Sequence, residues 1–127
     1  MIYGAGVDIV EIPRMRRAIK KHGKIFVSKL FTPFEIAYAR GKKISDQHFA
    51  GRFAAKEAFA KAFGEPKRFP IKWTDVEIRN DSEGKPAFKF YGTAKKFLKK
   101  KGIAGSIVSI SHSRNYAIAN VILMKKR

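Results

Sequence analysis

Two acidic residues, far apart in the chain, stand in apolar surroundings where a carboxylate is unexpected. Asp8 interrupts a strand-like run at residues 6–10, and Glu57 falls on the same side of a helical segment as Phe53. Because a bare carboxylate is costly to bury, each must be paired, protonated or bound to a cation. If the two converge, their oxygens, together with water and phosphate, would suit Mg²⁺, a hard ion that prefers octahedral oxygen ligands.

Ordinary structural roles remain open for both residues. Asp8 could close a turn or a strand end through local hydrogen bonds. Glu57 and Lys61 are four residues apart, so they could form a helical surface pair worth only about 0.3–0.5 kcal/mol. From spacing alone, this surface pair is favoured over a metal site.

A third candidate is the stretch Ser-Ile-Ser-His-Ser at residues 109–113, at the end of a strand and before a turn. His112 could bind a phosphate, act as a base or cap the turn, and without context the structural role is favoured. His22 and His48 have no ligand spacing with His112, which argues against zinc. The chain has neither a cysteine nor a Gly-x-Ser-x-Gly elbow, so covalent nucleophilic catalysis has no support.

The elements that must position these residues can be read from periodicity and from helix stop signals. The first half predicts a strand at 2–12, a basic helix from Pro13 to Lys24 that ends near Gly23, a Thr32-capped helix to Arg40, and a long helix from Ser45 or Asp46 to Gly64. The second half predicts strands at 72–80 and 87–91, a helix at 93–101, and a hairpin of strands 105–112 and 116–124. We expect one domain over residues 1–127, of the α+β class, with a mainly antiparallel sheet and one long helix packed on it.

The composition limits the partners and the compartment. The 28 Lys and Arg residues against 10 Asp and Glu residues give a formal charge of +18, which attracts polyanions. There is no cysteine, no signal-peptide pattern and no apolar run near the ~20 residues that span a bilayer. A soluble, cytoplasmic protein without a membrane partner is expected.

Three separated segments, taken in order, resemble the holo-[acyl-carrier-protein] synthase family, the small trimeric phosphopantetheinyl transferases. They are Gly4-Ala-Gly-Val-Asp-Ile-Val-Glu11, Phe49-Ala-Gly-Arg-Phe-Ala-Ala-Lys-Glu-Ala-Phe-Ala-Lys-Ala62 and Ser109-Ile-Ser-His-Ser-Arg-Asn-Tyr-Ala117. Residues 75–78 and 84–86 match between them, so the resemblance covers nearly the whole chain. Any one segment alone would be weak, whereas three in the right order are specific.

The resemblance implies the 4′-phosphopantetheinyl transferase fold and a magnesium-dependent enzyme. The expected reaction moves 4′-phosphopantetheine from coenzyme A to a serine of apo acyl carrier protein in fatty acid biosynthesis, and releases adenosine 3′,5′-bisphosphate. The resemblance makes Asp8 and Glu57 the Mg²⁺ ligands and catalytic residues, and it places Lys61, also catalytic, on the diphosphate or the incoming serine. The family also implies a homotrimer with its sites at subunit interfaces.

Further binding residues follow by position. The coenzyme A contacts are expected at Lys43, Arg52, Lys61, Gly64, Gly84, Lys85, Pro86, His112 and Ser113. Arg14 matches the family residue that meets the carrier protein. Because a carrier protein is expected to be acidic, the rest of the first basic helix should help to steer it, through Arg17, Lys21 and Lys24.

Two alternatives remain beside this interpretation. A basic RNA- or ribosome-associated protein would explain the charge and the lysine clusters, but it leaves Asp8 and Glu57 unexplained, and no ribonucleoprotein strand motif is visible. We therefore expect no nucleic-acid partner. A transferase acting on polyketide or peptide-synthesis carriers keeps the chemistry and changes only the acceptor. The short chain favours the small trimeric branch.

Overall fold

The computed structural model describes residues 1–65 and 69–127. Its elements, in chain order, are β1 (Ile2–Glu11), α1 (Ile12–Leu30), α2 (Pro33–Arg40), α3 (Ser45–Phe63), a 3₁₀ turn (Trp73–Asp75), β2 (Val76–Asn80), β3 (Pro86–Phe90), α4 (Gly92–Lys100), β4 (Ile103–His112) and β5 (Tyr116–Lys125). The predicted α+β class is confirmed. The strand predicted at 72–80 is wrong at its start, because residues 73–75 form the 3₁₀ turn.

The strands form two separate antiparallel sheets, one in the order β1-β5-β4 and one in the order β2-β3. In the larger sheet, Asp8 lies opposite Ala119, which lies opposite Ile110 on the next strand. The predicted alternation along β1 is confirmed, since Gly6, Asp8 and Val10 face inward while Val7 and Ile9 face outward.

Helix α3 packs directly on the inner face of β1. A Cβ atom at Gly4 would overlap the carbonyl oxygen of Ala62, and one at Gly6 would overlap that of Ala58. Only glycine permits this approach of strand to helix. Asp8 is the next inward-facing residue on the strand, so the contact brings it beside the second half of α3.

Helix α1 runs further than predicted. Gly23 has φ 68° and ψ −153°, which breaks the helix where a stop was expected, but a second helical segment continues to Leu30. Its residues Val27 and Leu30 are three apart and bury their side chains in a core shared with Phe49 of α3. This tertiary burial outweighs the weak local signal, and α1 therefore has the same 19-residue length as α3.

The helix ends match the predicted caps in part. Thr32 and Glu35 form the predicted capping box at the start of α2, and Gly64 ends α3 in the left-handed conformation. The predicted side-chain cap of α3 is wrong, because Ile44 occupies the N-cap position without a side-chain hydrogen bond. Asp46 accepts a hydrogen bond from Nε of Arg16 instead, at 2.8 Å, and so ties α3 to α1.

Candidate active site

A cavity of about 760 Å³ opens between β1, both halves of α1 and the middle of α3. Its charged lining residues are Asp8, Glu11, Arg14 and Glu57. Most of the remaining wall is apolar and comes from Ile9, Val10, Met15, Ala18, Phe26, Leu30, Phe53, Trp73 and Tyr116. The two carboxylates singled out in the sequence therefore face one groove, with the first predicted carrier-binding residue at its edge.

Lys61 reaches from α3 to β1. Its Nζ lies 2.8 Å from Oδ1 of Asp8 and 3.2 Å from the carbonyl oxygen of Val7. The Asp8 side chain is 18% exposed and that of Lys61 is 46% exposed, so the pair is open to solvent. The surface pair between Glu57 and Lys61, which spacing alone favoured, is not formed.

Glu57 has no ion pair within 4 Å among residues 1–65 and 69–127. Its pKa is raised above the ordinary value, first because burial disfavours the charged form and second because the negative charge of Asp8 is near; Lys61 opposes both effects. The groove is thus lined by three carboxylates, those of Asp8, Glu11 and Glu57, and by the guanidinium of Arg14, while the ammonium of Lys61 pairs with Asp8. This arrangement leaves negative charge that a cation can neutralise.

The donor set suits Mg²⁺ better than a transition metal. In the described part of the chain, no three or more His, Cys, Asp or Glu side chains are grouped so that they could hold a metal ion by themselves. Mg²⁺ typically keeps several waters and binds through one or two carboxylates plus substrate phosphates, so a pair of carboxylates such as Asp8 and Glu57 would suffice to hold it.

The residue before Glu57 makes a closed network that sequence reasoning missed. Nζ of Lys56 is fully buried and donates hydrogen bonds to Oε1 of Glu35 and to the carbonyl oxygens of Leu30 and Trp73, at 2.7, 2.7 and 2.8 Å. Burial lowers the pKa of Lys56, while the carboxylate of Glu35 opposes that effect. Because Leu30 and Trp73 line the groove, Lys56 fixes two of its walls.

A cluster of cationic and aromatic side chains, which we call the cation cluster, lies on another side of α3. The guanidinium of Arg52 stacks 4.0 Å from the ring centre of Tyr38, and Nζ of Lys42 lies 4.7 Å from the same ring centre. The ring of His48 contacts the rings of Tyr38 and His112, with centroids 5.7 and 5.9 Å apart. The structure therefore brings two predicted residues, Arg52 and His112, into one cluster.

The electrostatics of the cation cluster favour an anion rather than a metal. Burial lowers the pKa of His48, and the positive charges of Arg52, His112 and Lys42 lower it further. Burial also lowers the pKa of Arg52, which is only 3% exposed. Its Nε has no hydrogen-bond partner among the residues described. The positive potential of this cluster repels a metal ion and attracts a phosphate.

The turn between β2 and β3 is linked to the same cluster. Arg52 donates a hydrogen bond to Oδ1 of Asn80, and Nδ2 of Asn80 donates to the carbonyl oxygen of Gly84 at 2.9 Å. The predicted coenzyme A residues Gly84, Lys85 and Pro86 are thereby held next to Arg52. Asn80 was not singled out in the sequence, since an Asn in a turn-rich stretch has an ordinary structural explanation.

The remaining predicted residues lie at the surface around these two regions. Lys43 is exposed in the loop after α2, and its neighbour Lys42 makes the contact with Tyr38. Ser113 follows β4, and its backbone N–H donates to the carbonyl oxygen of Tyr116. The predicted carrier-binding residues are all exposed along α1: Arg14, Arg17, Lys21 and Lys24.

Arg52 and Glu57 point to different sides of α3. They are five residues apart, which corresponds to about 7.5 Å along a helix and about 140° around it. Within one chain, the cation cluster and the carboxylate groove are therefore separated by the body of the helix.

Comparisons with known proteins identify the family of this chain. The model of the 4′-phosphopantetheinyl transferase superfamily matches residues 4–121. The holo-[acyl-carrier-protein] synthases of Geobacter sp. strain M21 and Geobacter sulfurreducens are 45% and 46% identical, each over 97% of this chain and 98% of the relative.

Solved structures of the same enzyme share the fold. The holo-[acyl-carrier-protein] synthase of Neisseria meningitidis superposes with a TM-score of 0.91 at 37% identity, over 98% of this chain and 100% of that one. The enzyme of Bacillus anthracis, solved in complex with CoA (3′,5′-ADP), gives a TM-score of 0.81 at 34% identity, over 99% of both chains.

In the residues described, no helix is long and apolar enough to cross a membrane. The chain belongs to the 4′-phosphopantetheinyl transferase superfamily and, as its motifs suggested, to the holo-[acyl-carrier-protein] synthases within it.

Proposed function

We propose that the protein transfers 4′-phosphopantetheine from coenzyme A to a serine of apo acyl carrier protein, with Mg²⁺ as its cofactor. The observation that carries the proposal is the groove that Asp8 and Glu57 both line, where Asp8 pairs with Lys61 and Glu57 has no ion pair among the residues described. The names of the relatives and the coenzyme A complexes of the Bacillus anthracis and Helicobacter pylori enzymes support both substrates.

The nucleophile in this reaction is the serine hydroxyl of the carrier, which loses its proton as it attacks the β-phosphorus of coenzyme A. The bond from that phosphorus to the bridging oxygen breaks, and adenosine 3′,5′-bisphosphate leaves. Asp8 and Glu57 would hold Mg²⁺, which when bound supplies charge neutralisation at the diphosphate and the leaving group. Lys61 is half-exposed, so its ammonium would move from Asp8 to a diphosphate oxygen without breaking a buried ion pair. The enzyme thus contributes positioning and electrostatics rather than a covalent intermediate.

The cation cluster is the proposed site of the 3′-phosphate. Lys42 presents an exposed positive group there and His112 an exposed ring, while Arg52 raises the local potential from beneath. The ring of His48 lies beside that of His112, and a bound anion would favour the protonated, positively charged form of His48. The adjacent Gly84–Pro86 turn would flank the nucleotide.

A homotrimer with shared sites is part of the same proposal. The outer face of the β1-β5-β4 sheet exposes large apolar side chains on all three strands: Val7, Ile9, Ile107, Tyr116 and Ile118. A contiguous apolar face of this kind marks a protein interface. Because the cation cluster and the carboxylate groove lie on different sides of α3, a neighbouring subunit that supplies His112 and Ser113 would let one coenzyme A reach both regions.

The carrier protein is proposed to dock along α1. Arg14 lines the groove itself, and Arg17, Lys21 and Lys24 continue a basic, exposed surface away from it. This surface would steer an acidic partner and orient its serine toward Asp8 and Glu57. The proposal also covers a role in fatty acid biosynthesis and a cytoplasmic location, which suits a chain without cysteine.

A transfer assay tests the proposal directly. The protein is incubated with coenzyme A, Mg²⁺ and apo acyl carrier protein, and the carrier is analysed by mass spectrometry. We expect the carrier to gain the mass of one phosphopantetheine group, and we expect a chelator of divalent cations to abolish the gain. An unmodified carrier under metal-replete conditions would refute the activity, whereas full transfer in the presence of the chelator would refute the role of Mg²⁺.

A further inference from the structure

A second cavity, of about 560 Å³, lies at the opposite end of β4 from the candidate active site. We call it the lysine pocket. Its wall combines an apolar floor (Phe88, Phe90, Leu98 and Ile103) with four lysines (Lys89, Lys95, Lys99 and Lys126), and is completed by Gly102 and Ala104. The volume is within the range of small-molecule sites.

The sheet register separates this pocket from the site already described. Ile103, in the lysine pocket, pairs with Lys125, whereas Ile110 pairs with Ala119, which in turn lies opposite Asp8. Seven residue steps along β4, about 23 Å, separate these two rows. The pocket forms where β3 faces the start of β4, since the two strands belong to different sheets and leave a gap between them.

The four lysines of the pocket have unmatched charge. None has a carboxylate within 4 Å in the described ranges, and residues 66–68, Pro-Lys-Arg, contain no acid. Nearby Lys101, by contrast, lies 3.5 Å from a carboxylate oxygen of Glu65. Four ammonium groups around one cavity repel each other, so a ligand with negative charge is favoured there.

The apolar floor of the pocket favours a ligand that also has an apolar part. Leu98 and Ile103 are 6% and 9% exposed, and Phe88 and Phe90 pack against the same core. Helix α4 places Leu98 toward the floor, while Lys95 and Lys99, one turn apart, stand at the opening. Because the apolar face of α4 is already buried against the core, it is not free to insert into a bilayer, and a concave pocket suits a single molecule better than a membrane surface.

We propose that the lysine pocket binds a monomeric anionic amphiphile: one aliphatic chain that carries a phosphate head group. The chain lies on the four apolar side chains, and the phosphate, with up to two negative charges, is shared among the ammonium groups. No catalytic residue of the proposed transferase is involved. The site is therefore independent of the proposed function.

Isothermal titration calorimetry with decyl phosphate, below its micelle concentration, tests the proposal on the full chain. We expect saturable binding that is at least about tenfold weaker for inorganic phosphate, which lacks the chain, and for decanol, which lacks the charge. The double substitution K95E/K99E should weaken binding by about tenfold or more. The matched control K20E/K29E changes the charge of the protein equally on exposed positions of α1 and should change the affinity less than about twofold.

Four results would overturn the proposal. Equal losses in the two double variants would indicate unspecific attraction by the net charge, and equal binding of inorganic phosphate would indicate a plain anion site. Binding to anionic vesicles with the same dependence on Lys95 and Lys99 would indicate a membrane surface. Displacement of decyl phosphate by coenzyme A would place it in the active-site groove. Unchanged binding in the E57Q variant is expected, whether or not that variant transfers phosphopantetheine.

Discussion

Two neighbouring residues on α3 belong to opposite kinds of charged arrangement. Lys56 is fully buried, and its three hydrogen bonds go to one carboxylate and two carbonyl groups. Glu57 faces a groove, has no ion pair in the described chain, and carries a raised pKa. The first arrangement is complete within the protein, whereas the second is completed only by something that binds. A charge that the fold leaves unmatched is therefore the better indicator of function.

The difference also explains how α3 can both stabilise the fold and supply a side chain to the candidate active site. The closed network of Lys56 joins the end of α1, the start of α2 and the 3₁₀ turn to α3. These attachments fix the walls of the groove, so Glu57 can be held in place without a partner of its own. The buried charge of Lys56 thus helps to position the charge of Glu57.

The largest expected effect comes from removal of the unmatched charge. Glu57→Gln keeps the size of the side chain and should lower transferase activity by about 10³-fold or more, a loss of about 4 kcal/mol of transition-state stabilisation, because one of the two proposed metal ligands is lost. Turnover is measured by carrier mass shift, and folding by thermal unfolding. The exposed Glu83→Gln is the control and should keep full activity. Normal turnover in Glu57→Gln would show that the unmatched charge of Glu57 is not needed for the reaction.

The next effect concerns stability. Lys56→Met should lower the free energy of unfolding by about 3–5 kcal/mol, since it leaves the buried carboxylate of Glu35 without its counter-ion. Lys61→Met, at the open pair, should change it by less than about 1 kcal/mol while it still impairs transfer. Both values come from denaturant unfolding. Equal destabilisation by the two substitutions would show that the closed and open pairs do not differ in the way we describe.

The smallest effect extends the comparison to the cation cluster. Burial and the charges of Arg52, His112 and Lys42 hold the pKa of His48 below its ordinary 6.5. A bound 3′-phosphate favours protonated His48, so its contribution to coenzyme A affinity should grow as the pH falls below that value and vanish well above it.

His48→Phe isolates this contribution. At pH 6 the variant should bind coenzyme A about threefold more weakly than the wild type, and at pH 8 about equally. Affinity for dephospho-coenzyme A, which lacks the 3′-phosphate, should be the same in both proteins at both pH values. A loss of affinity that does not depend on pH would mean that His48 acts only through packing.

The sequence predicted what depends on local pattern. The alternation in β1, the capping box of Thr32 and Glu35, and the left-handed end of α3 at Gly64 are each encoded within a few residues. The convergence of Asp8 and Glu57 could not be deduced from spacing, because their separation depends on how β1 packs on α3. It was anticipated only through the motifs that resemble a known family.

The sequence-based predictions failed where side chains from several elements meet. The spacing of His48 and His112 argued only against zinc and gave no sign that the two rings contact each other across the fold. Lys56 resembled an ordinary helical lysine, since its partners come from α1, α2 and the 3₁₀ turn. A search for the charged residue on an apolar face of α3, the rule that revealed Glu57, would have found Lys56 as well.

The two glycines of β1 that contact α3 limit which substitutions the candidate active site can accept. Gly4 and Gly6 rest against the carbonyl groups of Ala62 and Ala58, so a single methyl group at either position must lift the strand away from the helix. Asp8 moves with the strand, whereas Glu57 stays with the helix. The distance between the carboxylates of Asp8 and Glu57 is thus set by Gly4 and Gly6, which have no side chain and take no part in the reaction.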